Sequence, residues 1–223
     1  MNENESSGVL VLGPFRSGTS LACRILSRLG VDFGPEAALL EADLFNPRGY
    51  LQRADVRRAN TRFIHSAGCP VFWPAHPERL ARAGDLNVLD QPDLEWRSGT
   101  AVWGLKDPRF CATLLSWFET GHFSPGRTRI VLVTRNLEDS ARSLYAMPEL
   151  SRQLHPRTLA SAKKTVDRYA EFAAWHAQHL GLPVLALPFE DLLAQPAVLV
   201  GKLAEFVGNQ SGAEIASAID LVG

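Results

Sequence analysis

An apolar run that meets a glycine and then hands over to an amphipathic helix limits the folds open to this chain more than any other feature. From Gly8 to Leu21 the residues read G-V-L-V-L-G-P-F-R-S-G-T-S-L. Val9 to Leu12 show no alternation with polar residues, as expected of a strand buried on both faces of a parallel sheet. After Gly18, the residues Leu21, Ile25, Leu26 and Leu29 recur on one helical face, Arg24, Ser27 and Arg28 on the other, and Gly30 ends the segment. A strand that ends in glycine and opens directly into a helix aims unpaired backbone N–H groups, and the positive helix end, at an anion. Gly13 and Gly18 have the spacing of the phosphate-cradling loop G-x-x-x-x-G-K-[ST], but Thr19 stands where that pattern has its lysine, and Arg16 lies inside the loop. Ser17, Thr19 and Ser20 add hydroxyl donors and Arg16 a planar cationic fork, so an anion site is expected without the lysine. A chance glycine pair is the competing reading, and the position between a strand and a clean amphipathic helix speaks against it.

Three further apolar runs, Ala101–Leu105, Arg129–Thr134 and Pro183–Leu187, are separated from the first and from one another by helical patterns. The longest, Arg157 to Leu180, sets Leu159, Ala162, Val166, Ala170, Ala173 and Leu180 inward and Lys163, Lys164, Asp167 and Glu171 outward. A final pair of helices is expected over Asp191–Val207 and Ala213–Leu221. Strands alternating with helices indicate an α/β fold: a P-loop-type, doubly wound parallel sheet flanked by helices, as a single domain over residues 1–223. Residues 1–7 are expected to be disordered. Residues 69–100, with Pro70, Pro74, Pro77, Pro92, Gly84, Gly99, Trp73 and Trp96, read as an irregular excursion, either on the substrate side of the site or as a cover over the core. Phe72, Trp73 and Trp96 can stack on a bound sugar or aryl group or fill that core.

Composition removes several function classes. A formal net charge of −1 gives no reason to expect nucleic acid as a partner. Cys23, Cys69 and Cys111 lie far apart with no C-x-x-C spacing, which argues against a disulfide framework or a metal centre and fits a reducing compartment. The opening M-N-E-N-E-S-S-G lacks the basic start of a secretory signal, and no apolar run is long enough to span a bilayer, so a cytoplasmic protein without a membrane partner is expected. Lysine is scarce: Lys106, Lys163, Lys164 and Lys202 are the only four. A lysine at a strand end, as Lys106 is expected to be, is therefore conspicuous.

A second anion signal follows the third strand. The run R-I-V-L-V-T-R ends in Arg135, and N-L-E-D-S-A-R-S begins a helix that Asn136 can cap, with Glu138 and Asp139 in its first turn. Ser143 falls eight residues after Arg135, about two helical turns on. Taken singly, Arg135 reads as a surface ion-pair partner and Ser143 as a solvated helix serine. Together with the first loop, G-P-F-R-S-G-T-S and R-N-L-E-D-S-A-R-S resemble the sulfotransferases that use 3′-phosphoadenosine 5′-phosphosulfate. The arginine inside the loop is similar to the bacterial, carbohydrate and tyrosylprotein branches of that family, the cytosolic phenol-type branch having a lysine there. N-P-R-G-Y-L-Q at Asn46–Gln52, W-G-L-K-D-P-R at Trp103–Arg109 and L-P-F-E-D-L-L-A-Q-P at Leu187–Pro196 resemble further segments of the bacterial members. The likeness runs from about Gly8 to Gly208. It departs from the family at Gln52, where bacterial members have an acid, and in lacking the cytosolic branch's R-K-G-x-x-G-D-W segment.

The resemblance implies a donor-binding set of Arg16, Ser17, Gly18, Thr19 and Ser20 for the 5′-phosphosulfate, and Arg135 with Ser143 for the 3′-phosphate. The implied reaction moves a sulfuryl group to a hydroxyl of a small-molecule or carbohydrate acceptor, with no metal. Such a transfer needs positive charge at the bridging oxygen and a base for the acceptor hydroxyl. Arg16 is expected to supply the first and Lys106 to assist, a structural Lys106–Asp pair being the alternative. Glu36 is expected to be the base, with Glu41, Asp43, His65 and Asp107 as rivals. Two other functions fit the same residues less fully: a nucleotide kinase or ATPase of the same broad fold, and a module that binds the donor without transferring.

Overall fold

In a computed structural model of the chain, which describes residues 6–222, the first apolar run is strand β1 (Ser7–Leu12) and its helix α1 (Thr19–Arg28). The other runs form β2 (Val102–Lys106), β3 (Thr128–Thr134) and β4 (Val184–Pro188). The sheet is four-stranded with order β2-β1-β3-β4 and every pairing parallel. Along β1, Leu10 and Leu12 enter one core and Val9 and Val11 the other, which is why the run shows no polar alternation. Each such fully buried side chain contributes roughly 1.5–3 kcal/mol relative to exposure.

Helices cover both faces. On one side lie α1, α9 (Pro196–Val207) and α10 (Gly212–Ile219), whose Ile25, Leu26, Val200, Leu203 and Ala218 pack with Val9, Val11 and Val131. The other side carries α2 (Ala54–Ser66), α3 (Pro77–Ala83), α4 (Phe110–Glu119), α5 (Leu137–Tyr145) and α7 (Leu159–His179). Short helices α6 (Pro148–Ser151) and α8 (Phe189–Ala194) complete the chain. The expected Asp191–Val207 helix is two: Pro196, which cannot donate to the preceding turn, sits at the first position of α9. Among the described residues, no helix is long and apolar enough to cross a membrane.

Three expectations change, and one left open is decided. Of the residues expected to be disordered, Met1–Glu5 lie outside the described residues, while Ser7 already pairs with Val102 in the sheet. β4 is an edge strand with Val184 and Ala186 exposed, not a doubly buried one. α7 turns its buried face through Ala162, Thr165, Val166, Tyr169, Phe172, Ala173 and His176, leaving Leu159 exposed at its first turn. Residues 69–100 cover the core: Phe72 stacks on Phe15 at 5.1 Å, Trp73 takes Arg168 over its ring at 3.4 Å, and Arg53 stacks on Trp96. The carbonyls of Val71 and Phe72 accept hydrogen bonds from Tyr169 and Thr165 of α7.

Two buried polar devices hold α4 in place. Asn60 of α2, fully buried, accepts from Thr113 Oγ1 and Trp117 Nε1 and donates to Asp107. His176 of α7, also fully buried, lies against the Phe172 carbonyl through Nδ1, while its Nε2 accepts from the Leu115 backbone N–H at 3.0 Å. A backbone N–H can only donate, so Nε2 is unprotonated and Nδ1 carries the proton. Burial pushes the His176 pKa down to about 4 from 6.5. Between those values the unfolded chain takes up a proton that the folded chain refuses, so stability falls as pH falls through that window. We expect urea denaturation to show His176 costing about 2 kcal/mol of stability between about pH 7 and pH 5. His176→Gln should lose that share of the pH dependence; an unchanged loss in the variant would contradict the assignment.

Candidate functional site

The strand order places the C-terminal ends of β1, β2 and β3 side by side, at the point where the connection from β1 runs to one neighbour and the next returns to the other. In open parallel sheets this is where ligands bind. A cavity of about 530 Å³ opens there, lined by the turn into α1, by Lys106, Pro108 and Arg109 after β2, by Arg135 after β3 and by Phe189 after β4. Its remaining wall comes from Leu40 to Arg57 and from Met147, Glu149 and Leu150.

The turn is tightly determined. A Cβ on Gly13 would lie 2.7 Å from the Val133 carbonyl oxygen, and one on Gly18 would lie 2.3 Å from the Phe189 ring. Gly18 has φ 94° and Arg16, without glycine's freedom, φ 65°. Such a conformation costs a non-glycine residue on the order of 1–3 kcal/mol and persists where neighbours impose it. The Arg16 carbonyl accepts from Arg135 Nη1 at 3.1 Å and from Ser140 Oγ at 3.4 Å, while its Nε donates to Ser143 Oγ at 3.0 Å. Leu21 and Ala22 both donate to the Gly18 carbonyl, so the N–H groups of Thr19 and Ser20 begin the helix ahead of its hydrogen-bond ladder.

Lys106 is 3% exposed, yet its Nζ meets only neutral partners, Ser20 Oγ and Gln52 Oε1, each at 3.3 Å, with the Tyr50 ring 5.6 Å away. Burial lowers its pKa. Burial also lowers that of Arg16, and the neighbouring Arg135 charge adds to the effect. Asp43 accepts from Tyr50 at 2.6 Å; burial works against its charge, but hydrogen bonds from Tyr50, Asn46 and Phe45 outweigh it and hold the carboxyl below its ordinary range. Around the cavity Arg16, Arg24, Arg57, Lys106, Arg109 and Arg135 face only Glu41, Asp43 and Glu149. The lining is strongly cationic in a chain of near-zero net charge, and it suits a polyanion. Among the described residues, no group of three or more His, Cys, Asp or Glu is placed to hold a metal ion.

No protein-family model matches the sequence, and neither does any curated protein. Among solved structures, the sulfotransferase domain of the olefin synthase from Synechococcus PCC 7002 superposes with a TM-score of 0.56 over 98% of this chain and 79% of that one, at 14% identity. The chain has the sulfotransferase fold.

On that fold most residues singled out from the sequence converge. Arg16, Gly18, Thr19, Ser20, Lys106 and Arg135 all line the cavity, and Ser143 joins them through Arg16. Two residues do not behave as expected, and one open segment falls outside the cavity lining. The Ser17 hydroxyl is buried beneath the loop with no hydrogen-bond partner and does not line the cavity. Glu36 is exposed in a single 3-10 turn and lies off the cavity, because the chain after α1 first bridges to the edge of β2 at Asp32 and returns only at Leu40. No residue of 69–100 lines the cavity; that wall is built by residues 40–57 and 147–150 instead. Of the rival bases, His65 is exposed away from the cavity, and Asp107 is buried and bonded to Arg109 and Asn60, not to Lys106. Glu41 and Asp43 do line it.

Phe189 was missed as a site residue. Its ring lies under the Arg135 guanidinium at 4.8 Å, and Glu190 beside it accepts from the Asn136 backbone N–H. An aromatic directly after a strand that leads into the same crevice was the available signal. The Lys106 geometry predicts a separation of function from stability. Lys106→Met removes a buried charge that makes no ion pair among the described residues, and we expect folding stability within about 1 kcal/mol of the parent by urea denaturation. Affinity for pyrophosphate, by calorimetry, should fall at least about tenfold through loss of a charge-assisted hydrogen bond. Unchanged pyrophosphate affinity with a large stability loss would make Lys106 a structural residue.

Proposed function

We propose that this chain is a sulfotransferase that uses 3′-phosphoadenosine 5′-phosphosulfate and transfers its sulfuryl group to a hydroxyl of a small-molecule or carbohydrate acceptor. The observation that carries this reading is the convergence of Arg16, Lys106 and Arg135, from the ends of three adjacent strands, on one cationic cavity of the sulfotransferase fold. The donor supplies an activated sulfuryl group on a phosphate leaving group. Thr19 and Ser20 N–H groups, with the Ser20 hydroxyl and Lys106, would hold its 5′ end. Arg135 and Ser143, brought within reach of Arg16, would hold the 3′-phosphate. Arg16, already desolvated, supplies fixed positive charge next to both groups without reorganising water. Thr19 at the position of the usual loop lysine, with Arg16 inside the loop, favours this donor over a magnesium-bound triphosphate.

Calorimetry with 3′,5′-adenosine bisphosphate and with 5′-AMP tests the donor. The bisphosphate should bind at least about tenfold tighter, and Arg135→Ala should lower its affinity by about ten- to a hundredfold while leaving 5′-AMP little changed. Equal weak binding of the two nucleotides would overturn the reading.

The base moves from Glu36 to Glu41. Asp43 is committed to Tyr50 and to two backbone N–H groups, which leaves Glu41 as the uncommitted carboxylate on the returning loop. Glu41→Gln should slow sulfuryl transfer by about a hundredfold or more with bisphosphate affinity retained. A loss in Glu149→Gln instead of Glu41→Gln would reassign the role.

A further inference from the structure

We infer that the cavity contains a second anion subsite, formed by Arg57 and Arg109, and that the acceptor is therefore a hydroxyl compound carrying a carboxylate on an apolar body. This rests on the sulfotransferase reading above and assigns the part of the cavity that the donor does not need.

Arg109, at the start of α4, is 9% exposed and lines the cavity. Its Nη1 bonds to Asp107 at 3.0 Å, but its Nε is buried with no hydrogen-bond partner. That N–H is sealed from solvent, so a ligand meets Arg109 through the part of its side chain that lines the cavity. Arg57, on α2, lines the same cavity and makes no ion pair among the described residues. Burial lowers the Arg57 pKa, and the Arg109 charge is the next largest cause. Two guanidinium side chains thus line the same cavity. The carboxylate beside Arg109, Asp107, is shared with Asn60 and already bonded to Arg109. A solvated helix face explains neither the unpaired Nε nor the shared cavity.

The charge balance selects the ligand. Two guanidinium groups against one carboxylate leave one positive charge, which a monoanionic carboxylate neutralises and a dianionic phosphate exceeds. A planar guanidinium fork also matches carboxylate geometry. The same cavity offers apolar surface from Leu40 and Phe45 on the returning loop, from Met147 and Leu150, and from Pro108 beside Arg109 in sequence. An acceptor seated there presents an apolar body, with its anionic end on the arginines and its hydroxyl toward Lys106.

The test uses full-length protein saturated with 3′,5′-adenosine bisphosphate, titrated by calorimetry with 6-hydroxyhexanoate and 3-(4-hydroxyphenyl)propanoate and with their primary amides. At least one carboxylate should bind about tenfold or more tighter than its amide. Arg57→Gln, a change at an exposed side chain, should erase that preference while leaving bisphosphate affinity within about twofold. Carboxylates and amides binding equally, or no acid binding, would overturn the subsite. So would a large loss of bisphosphate affinity in Arg57→Gln, which would give Arg57 to the donor. Failure of the parent protein to bind the bisphosphate would instead overturn the sulfotransferase reading itself.

Discussion

Between the end of β1 and the start of α1 the backbone must pass under Phe189, against the Val133 carbonyl and through two left-handed residues. Glycine meets the first two demands. At Arg16 the left-handed turn is held from outside, by Arg135 and Ser140 on its carbonyl and Ser143 on its side chain. The first anion loop is therefore not independent of the second motif. The strand end at Arg135 and the helix that Asn136 caps are part of what shapes the turn, and the turn in turn fixes where α1 begins and which N–H groups face the cavity.

Charge is arranged around that turn at a cost to the empty protein. Lys106 is buried among neutral partners, Arg16 is desolvated, and Arg109 keeps an unpaired N–H. Lys106 and Arg16 make no ion pair among the described residues, whereas the polar side-chain atoms of Asn60 and His176 all have hydrogen-bond partners. Cations gathered on one cavity suit it to a polyanion.

Much of this was legible in the sequence because it is local. The four apolar runs, the glycine spacing, the Asn136 cap and the eight-residue interval from Arg135 to Ser143 depend on near neighbours and on helix periodicity. The path of the long connection after α1 was not. Asp32 bridges to Trp103 at the edge of β2 and carries Glu36 outward, so a glutamate at a plausible distance along the chain is remote in space, while Glu41 arrives at the cavity. The same non-local choice put residues 69–100 on the core instead of the site, through carbonyls that serve Thr165 and Tyr169. Leu159 misled because an apolar periodicity does not say where a helix first meets its neighbour. Ser17 misled because a hydroxyl in an anion loop can face either the ligand or the floor.

A crystal structure with 3′,5′-adenosine bisphosphate bound tests the central claim most directly. The account predicts the 5′-phosphate on the N–H groups at the start of α1, beside Ser20 and Lys106, and the 3′-phosphate on Arg135 and Ser143, with the Arg16 to Ser143 hydrogen bond exchanged for one to phosphate. A nucleotide bound away from this turn, or with its 3′-phosphate in solvent, would contradict it.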